Sequence, residues 1–237
     1  MVNHSETKLD ALFAIVDHGL EDVLTNVFKN NDAPILLLTH GKGSAKSAVY
    51  EILGYGGPKK TVSISVQTKR MTNYLLKQLQ DCIDFSKPGT GIAFTVNVSS
   101  VSSILSGICV QAEENLKIGS EDMPLTSKEP YHLIVTIVNS GFYDQVMEAA
   151  KKAGAGGGTV VHARGLGSKE AKKYLGITIQ PEKDLVLILA PKEKKLAIME
   201  SITHEVGLNT AGTGICFSLP VDSAIGLGAL IENIEKV

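Results

Sequence analysis

The sequence predicts an α+β chain made of two tandem β-α-β-β-α-β domains with antiparallel sheets. The segment GTGI-x-F occurs twice, in "PGTGIAFTVNVSSV" and in "AGTGICFSLPVDSA", its first glycines 212 − 89 = 123 residues apart. Other features recur in the same order at nearly the same interval: Gly19 with Gly141, His40 with His162, and Leu53-Gly54 with Leu175-Gly176 (141 − 19, 162 − 40 and 175 − 53, all 122), then Pro58 with Pro181 (181 − 58 = 123). A one-residue insertion in the second copy, just before Pro181, reconciles all of them, so the chain reads as two copies of one unit. Within each copy, apolar runs rich in β-branched residues alternate with runs whose apolar residues fall at helical spacing.

The elements follow in parallel through the copies. First strands lie at "LDALFAIV" (9–16) and "YHLIVTIV" (131–138). A helix follows each. "LEDVLTNVFKN" places Leu20, Val23, Leu24, Val27 and Phe28 on one face, and "FYDQVMEAAKKA" does the same with Phe142, Val146, Met147, Ala149 and Ala150. Second strands, "PILLLTH" (34–40) and "GTVVHA" (158–163), each deliver a histidine into a basic, glycine-containing turn. Short amphipathic pieces, "AKSAVYEIL" and "SKEAKKYL", lead to third strands at "TVSISVQ" (61–67) and "DLVLILA" (184–190). Second helices are expected at "MTNYLLKQLQDCI" and "KKLAIMESITHEV", and GTGI-x-F opens each fourth strand. This order is the ferredoxin-like split βαβ unit. The first domain is expected over 1–110 and the second over 131–237. Between them, "QAEENLKIGSEDMPLTSKEP" (111–130) is polar, acidic and broken twice by proline, and reads as a linker. Two helices cover one face of such a sheet. The other face keeps apolar side chains such as Ile64 and Val66, so sheet-to-sheet or edge-to-edge assembly is expected.

Bulk properties exclude several classes. With 23 basic against 25 acidic residues and no basic stripe, nucleic acid is not an expected partner. The longest apolar runs, "ILLL" and "LVLILA", are too short to span a bilayer, and the polar start "MVNHSETKLD" is unlike a signal peptide. Three scattered cysteines, Cys82, Cys109 and Cys216, suggest neither a disulfide framework nor a zinc motif, and a cytoplasmic location is expected. The stretch "LTHGKGSAKSAVYEILGYGG" stands where a phosphate loop would, but G-x-x-x-x-G-K-[ST] would need glycine where His40 and Ala45 stand.

The candidate site residues are those that duplicate. His40 and His162 share one position, beside Lys42 and Arg164, so each H-x-[KR]-G turn, with Gly43 or Gly165, reads as a pH-sensitive cationic site for an anion. A strand-end histidine bonded to backbone accounts for the same pattern. The turns Gly89-Thr90-Gly91 and Gly212-Thr213-Gly214 read as ligand-binding, or as glycines that permit positive φ before a strand. No metal is expected, because no Cys, Asp or Glu stands at ligand spacing from His40 or His162. His4, His18 and His132 have no constellation around them, and His204 with Glu205 reads as a solvated helix face. No nucleophile–base pair survives duplication, so the chain is not expected to be an enzyme. The alternative is a small enzyme using His40 or His162 as general acid–base on an anionic substrate.

In order and spacing, "HARGLG" (162–167), "QPEKDLVLIL" (180–189) and "GLNTAGTGICFSLPVDSA" (207–224), with "HGKGSA" (40–45), "GPKKTVSISV" (57–66) and "KPGTGIAFTVNVSS" (87–100) in the first copy, resemble the P-II nitrogen-regulatory signalling proteins. The resemblance implies a trimer of ferredoxin-like units that binds adenine nucleotide in clefts between neighbours. A long loop would report nucleotide and 2-oxoglutarate status to a protein target. By the same resemblance Gly165 and Gly167 begin that loop, Gly212 and Gly214 belong to the shorter phosphate-facing loop, and Gly43, Gly89 and Gly91 are their partners in the first copy. The departures are specific. The long loop is shortened, Ile92 and Ile215 stand where a lysine is expected, Glu182 replaces the lysine kept as Lys59, and "IGLGALIENIEKV" lacks the arginine pair. Each lost charge-assisted contact is worth roughly 1.5–3 kcal/mol, so weak nucleotide binding or a smaller anion is expected. The resemblance thus implies a homo-oligomeric P-II-like regulator acting on a protein partner in nitrogen metabolism, with three chains making a trimer of six domains expected and a pseudo-symmetric monomer or dimer as the alternative.

Overall fold

A computed structural model describes residues 8–44, 57–116, 130–165, 173–174, 177–178 and 182–227. The first half runs β1 (Leu9–Asp17), a 3-10 turn (His18–Leu20), α1 (Glu21–Asn30), β2 (Leu36–Gly43), β3 (Lys59–Thr68), α2 (Lys69–Cys82), β4 (Gly91–Val98) and α3 (Ser103–Leu116). The second runs β5 (Tyr131–Asn139), α4 (Tyr143–Lys152), β6 (Thr159–Arg164), the short β7 (Lys173–Tyr174) and β8 (Ile177–Thr178), β9 (Glu182–Pro191), α5 (Lys195–Val206), β10 (Ile215–Val221) and β11 (Ser223–Ile225). Strand neighbours run β2-β3-β1-β4 in the first half and β6-β9-β5-β10 in the second. Both halves therefore have the expected mixed α+β, βαββαβ fold.

By contacts the chain divides into two compact units, each drawing on both halves. Unit 1 is Met1–His40, Lys59–Tyr131 and Pro220–Val237; unit 2 is Gly41–Pro58 and His132–Leu219.

In unit 1 the antiparallel register sets Phe13 opposite both Ile64 and Phe94, and the Phe13 and Phe94 rings stack 5.1 Å apart. The alternate face of β1 supplies Leu12, Ala14 and Val16 to a core shared with Leu24, Val27 and Phe28 of α1 and Leu75, Leu76 and Leu79 of α2. Burying each leucine contributes about 2 kcal/mol. Thr68 starts α2 by accepting a hydrogen bond from the Met71 N–H at 3.2 Å, a side-chain N-cap.

Two elements of unit 1 were not anticipated from the sequence. Helix α3 extends to Leu116, into the segment read as linker. Its apolar residues do not form one stripe, since Cys109 and Ala112 are buried while Ile104 and Ile108 are exposed. Cys109 lies with its Sγ 3.6 Å from the Val66 carbonyl. Strand β11 pairs with β4, anchored where the Ser223 N–H donates to Thr95 Oγ1 at 3.1 Å.

In unit 2 the core is Ile134, Val138, Val146, Met147, Val160, Val186, Ile188, Ile198, Ile202 and Val206. The end of β2 pairs with β6, setting Gly41 opposite Val161. A Cβ on Gly41 would lie 2.4 Å from the Val160 carbonyl oxygen, so the backbone approach requires glycine there. Ser44 is fixed from three sides: its N–H donates to the Gly158 carbonyl, its Oγ accepts from the Gly158 N–H, and its carbonyl accepts from Lys151 Nζ. Residues 45–53, read as amphipathic, lie outside the described residues. In the matching piece, Lys173 and Tyr174 instead pair with Thr178 and Ile177 as a two-stranded ladder. No helix among the described residues is long and apolar enough to cross a membrane.

Candidate functional site

In unit 2 the β6–β9 register places His162 directly opposite Asp184. The His162 Nδ1 lies 2.7 Å from Asp184 Oδ1, with the imidazole side chain 62% exposed and the carboxylate 2% exposed. The other carboxylate oxygen accepts the Gly141 N–H at 3.0 Å. Gly141 adopts φ +93, a left-handed geometry that glycine enters without strain. The preceding turn residue closes on the same strand, as the Ser140 N–H donates to the Glu182 carbonyl at 3.2 Å.

The Gly-Thr-Gly turn is tied to these two segments. Lys183 Nζ donates to Asn139 Oδ1 at 2.7 Å. The Asn139 N–H donates to the Gly212 carbonyl at 2.9 Å, and its amide nitrogen donates to the Ala211 carbonyl at 3.0 Å and to Thr213 Oγ1 at 2.9 Å. The histidine-led bend and the Gly-Thr-Gly bend are thus held by the same two short segments, Asn139–Gly141 and Glu182–Asp184. Arg164 is exposed and stands opposite Glu182 in the register. Gly165 follows it, its missing Cβ 3.3 Å from the Lys183 side chain. Gly167 lies outside the described residues.

Unit 1 repeats the pattern with different chemistry. Thr61 occupies the position matching Asp184 (184 − 61 = 123), and the carboxylate comes instead from Glu21, where the second copy has Tyr143 (143 − 21 = 122). His40 Nε2 lies 2.8 Å from Glu21 Oε2, and Thr61 Oγ1 donates to the same oxygen at 2.7 Å. His18 Nδ1 is 3.3 Å from that oxygen and 3.2 Å from Thr61 Oγ1. The Thr61 hydrogen bond, followed by that of His40, holds the Glu21 carboxyl below its usual range. Lys60, the counterpart of Lys183, donates to the Gly89 carbonyl and lies 3.8 Å from the Asp17 carboxylate. Burial lowers the Lys60 pKa, with Asp17 opposing. The Asp17 N–H donates to the Thr90 carbonyl at 2.7 Å.

Both histidines therefore take a carboxylate partner. His18, read as having no constellation, joins Glu21 and His40, and Glu21 supplies the carboxylate that the sequence lacked at ligand spacing. Among the described residues these three form a cluster whose ligand atoms all lie within 4.8 Å of one another. The compact units place His40 in unit 1 and Lys42 and Gly43 in unit 2.

Several glycines answer to packing. A Cβ on Gly91 would meet the Ile15 carbonyl oxygen at 2.2 Å, and one on Gly214 would meet that of Val206 at 2.4 Å. Gly89, at φ +82, has open space where a Cβ would go. Thr213 sits at φ +47, a strained position for a β-branched residue. Sequence reasoning missed Asn139, Lys183, Asp184, Glu21 and Thr61. The signal that could have found Asp184 was the register between the second and third strands, which sets His162 beside it; Glu21 comes from the first turn of α1, to which no strand register points.

Residues 131–227 match the family described as nitrogen regulatory protein P-II. No curated protein matches the chain. Among solved structures, the chain is similar to the PII protein of Arabidopsis thaliana bound to citrate, with 24% identity over 39% of this chain and 75% of that one and a TM-score of 0.30. It is also similar to CPII of Thiomonas intermedia K12 bound to ADP and bicarbonate, with 18% identity over 41% of this chain and 89% of that one and a TM-score of 0.32.

Proposed function

From the match of residues 131–227 to the nitrogen regulatory protein P-II family, we propose that the chain is a small-ligand sensor that regulates a protein partner. Unit 2 takes up a small anion, with an adenine nucleotide among the candidates, between the His162–Arg164–Gly165 bend and the Gly212–Thr213–Gly214 bend. Arg164 supplies charge, His162 an imidazole nitrogen positioned by Asp184, and the two turns backbone N–H groups. In the first copy His40, Lys42, Gly43, Gly89, Thr90 and Gly91 are the corresponding candidates. Occupancy passes to the partner through the segment that begins at Gly165. The protein works in the cytoplasm as a homo-oligomer, a trimer of chains, and its partner belongs to nitrogen metabolism.

One observation carries this reading: Asn139–Gly141 and Glu182–Asp184 hold both bends, so a ligand touching one bend mechanically addresses the other. The test is a melting scan with ATP, ADP and 2-oxoglutarate as probes. A probe should raise the melting temperature of the wild type, and Arg164→Ala should reduce that shift. Absence of any shift with all probes, or a shift indifferent to Arg164→Ala, overturns the site. Turnover of a probe that is lost in His162→Ala would favour the acid–base enzyme instead. Native mass spectrometry reads the chain count and any retained ligand mass.

A further inference from the structure

In unit 1, three side chains from separate turns and strands converge on one point. His18 comes from the 3-10 turn after β1, Glu21 from the first residue of α1, and His40 from β2. Their donors are His18 Nδ1, Glu21 Oε2 and His40 Nε2. The carboxylate oxygen lies 3.3 Å from the first and 2.8 Å from the second imidazole nitrogen. The rings are set edge to face, with centroids 5.0 Å apart, so they reach the shared point from different directions.

We propose that this cluster binds a divalent transition-metal ion of the zinc type. Two imidazole nitrogens and one carboxylate oxygen are a donor set that such ions take. Zinc bonds of about 2.0–2.1 Å in tetrahedral geometry require ligand atoms roughly 3.3 Å apart. The two Glu21–imidazole separations, 3.3 and 2.8 Å, are near that value, and the two imidazole nitrogens, within 4.8 Å of each other, close in by rotation of exposed side chains. Thr61 Oγ1 donates to Glu21 Oε2 at 2.7 Å and fixes the carboxylate, the role that outer hydrogen-bond partners play around bound metals. The side chains of His18, Glu21 and His40 are 48%, 31% and 63% exposed. An ion therefore reaches them from solvent, and a fourth position remains for water or an anion.

The duplication strengthens the case. At the matching positions the second copy has Ser140, Tyr143 and His162, so the βαββαβ fold does not itself call for this trio. It keeps the histidine, which among the described residues pairs with Asp184. The metal site is thus specific to the first copy and does not rest on the anion-binding reading of unit 2.

Isothermal titration of the full chain with zinc chloride, after treatment with chelator, tests the proposal. The wild type should bind one equivalent whose affinity falls more than 10-fold in His18→Ala, His40→Ala and Glu21→Gln. Thr61→Val should cost about 10–100-fold. His162→Ala should leave this equivalent intact. Because the two imidazoles are 48% and 63% exposed, the histidine variants should keep a melting temperature close to that of the wild type in chelator. His18→Gln and His40→Gln provide a second pair should either alanine variant misfold. Absence of zinc binding, or an affinity unchanged by the changes at His18 and His40, overturns the site and leaves an ion-pair cluster only.

Discussion

His162 and Asp184 face each other across the β6–β9 ladder at 2.7 Å, one side chain largely in water and the other almost sealed from it. The buried partner also accepts the Gly141 N–H. Asp184 is therefore the hub, and His162 is the group it presents to solvent.

This asymmetry orders two substitutions. Asp184→Ala removes two charge-assisted hydrogen bonds and strands a backbone donor, and should cost about 3 kcal/mol in a urea melt. His162→Ala should cost clearly less, because the vacated space admits water to the carboxylate while the Gly141 bond remains. Equal losses would contradict the assignment of Asp184 as hub.

Asp10 is 1% exposed, and its Oδ1 has no hydrogen-bond partner among the described residues. Burial pushes its carboxyl from 3.8 up to about 6, with Lys69 pulling it down and Asp222 adding to the rise. The raised value means the folded chain holds a proton that the unfolded chain has already released across this window. Stability from this group is full below pH 3.8 and is lost as pH rises toward 6. Asp10→Asn should therefore stabilise the protein at pH 7 by on the order of 3 kcal/mol relative to its effect near pH 3. Paired denaturant melts at the two pH values measure the difference, and a stabilisation independent of pH would refute it.

Gly91 and Gly89 separate two reasons for glycine within one turn. Both have positive φ, +145 and +82, but only Gly91 has a carbonyl oxygen where a Cβ would go. Gly89→Ala should cost about 1–2 kcal/mol, the left-handed penalty alone. Gly91→Ala adds a backbone collision and should cost more, with displaced amide resonances around Ile15. Similar melting temperatures for the two variants would show that the close approach relaxes freely.

The thiols should differ in reactivity. Cys82 is exposed, whereas burial raises the Cys109 and Cys216 thiols, with Thr136 partly offsetting this at Cys216. A thiol reagent added to the native chain should modify one equivalent quickly and two slowly, and Cys82→Ser should remove the fast phase.

Where periodicity and burial coincide, the elements were readable from sequence. β1, α1, α2, β5 and α4 each put regularly spaced apolar residues against a core, and their bounds differ from expectation by a residue or two. Helix α3 was missed because its buried face is two small residues, Cys109 and Ala112, while Ile104 and Ile108 face solvent. Strand β11 was missed because a three-residue strand has no pattern of its own; its pairing with β4 defines it. The metal-capable trio was missed because Glu21 lies 19 residues from His40 and reads as an ordinary acidic helix start.

By itself the sequence determined the duplicated element order, the two histidine-led bends and the two Gly-Thr-Gly bends, because repetition and side-chain periodicity are properties of the linear chain. Only the tertiary structure decided what each histidine meets. Asp184 reaches His162 through strand register and Glu21 reaches His40 through the approach of α1 to β2, and separation along the chain encodes neither. The composition of the compact units, with Gly41–Pro58 in one and Pro220–Val237 in the other, was likewise set by which apolar and backbone groups find partners in three dimensions.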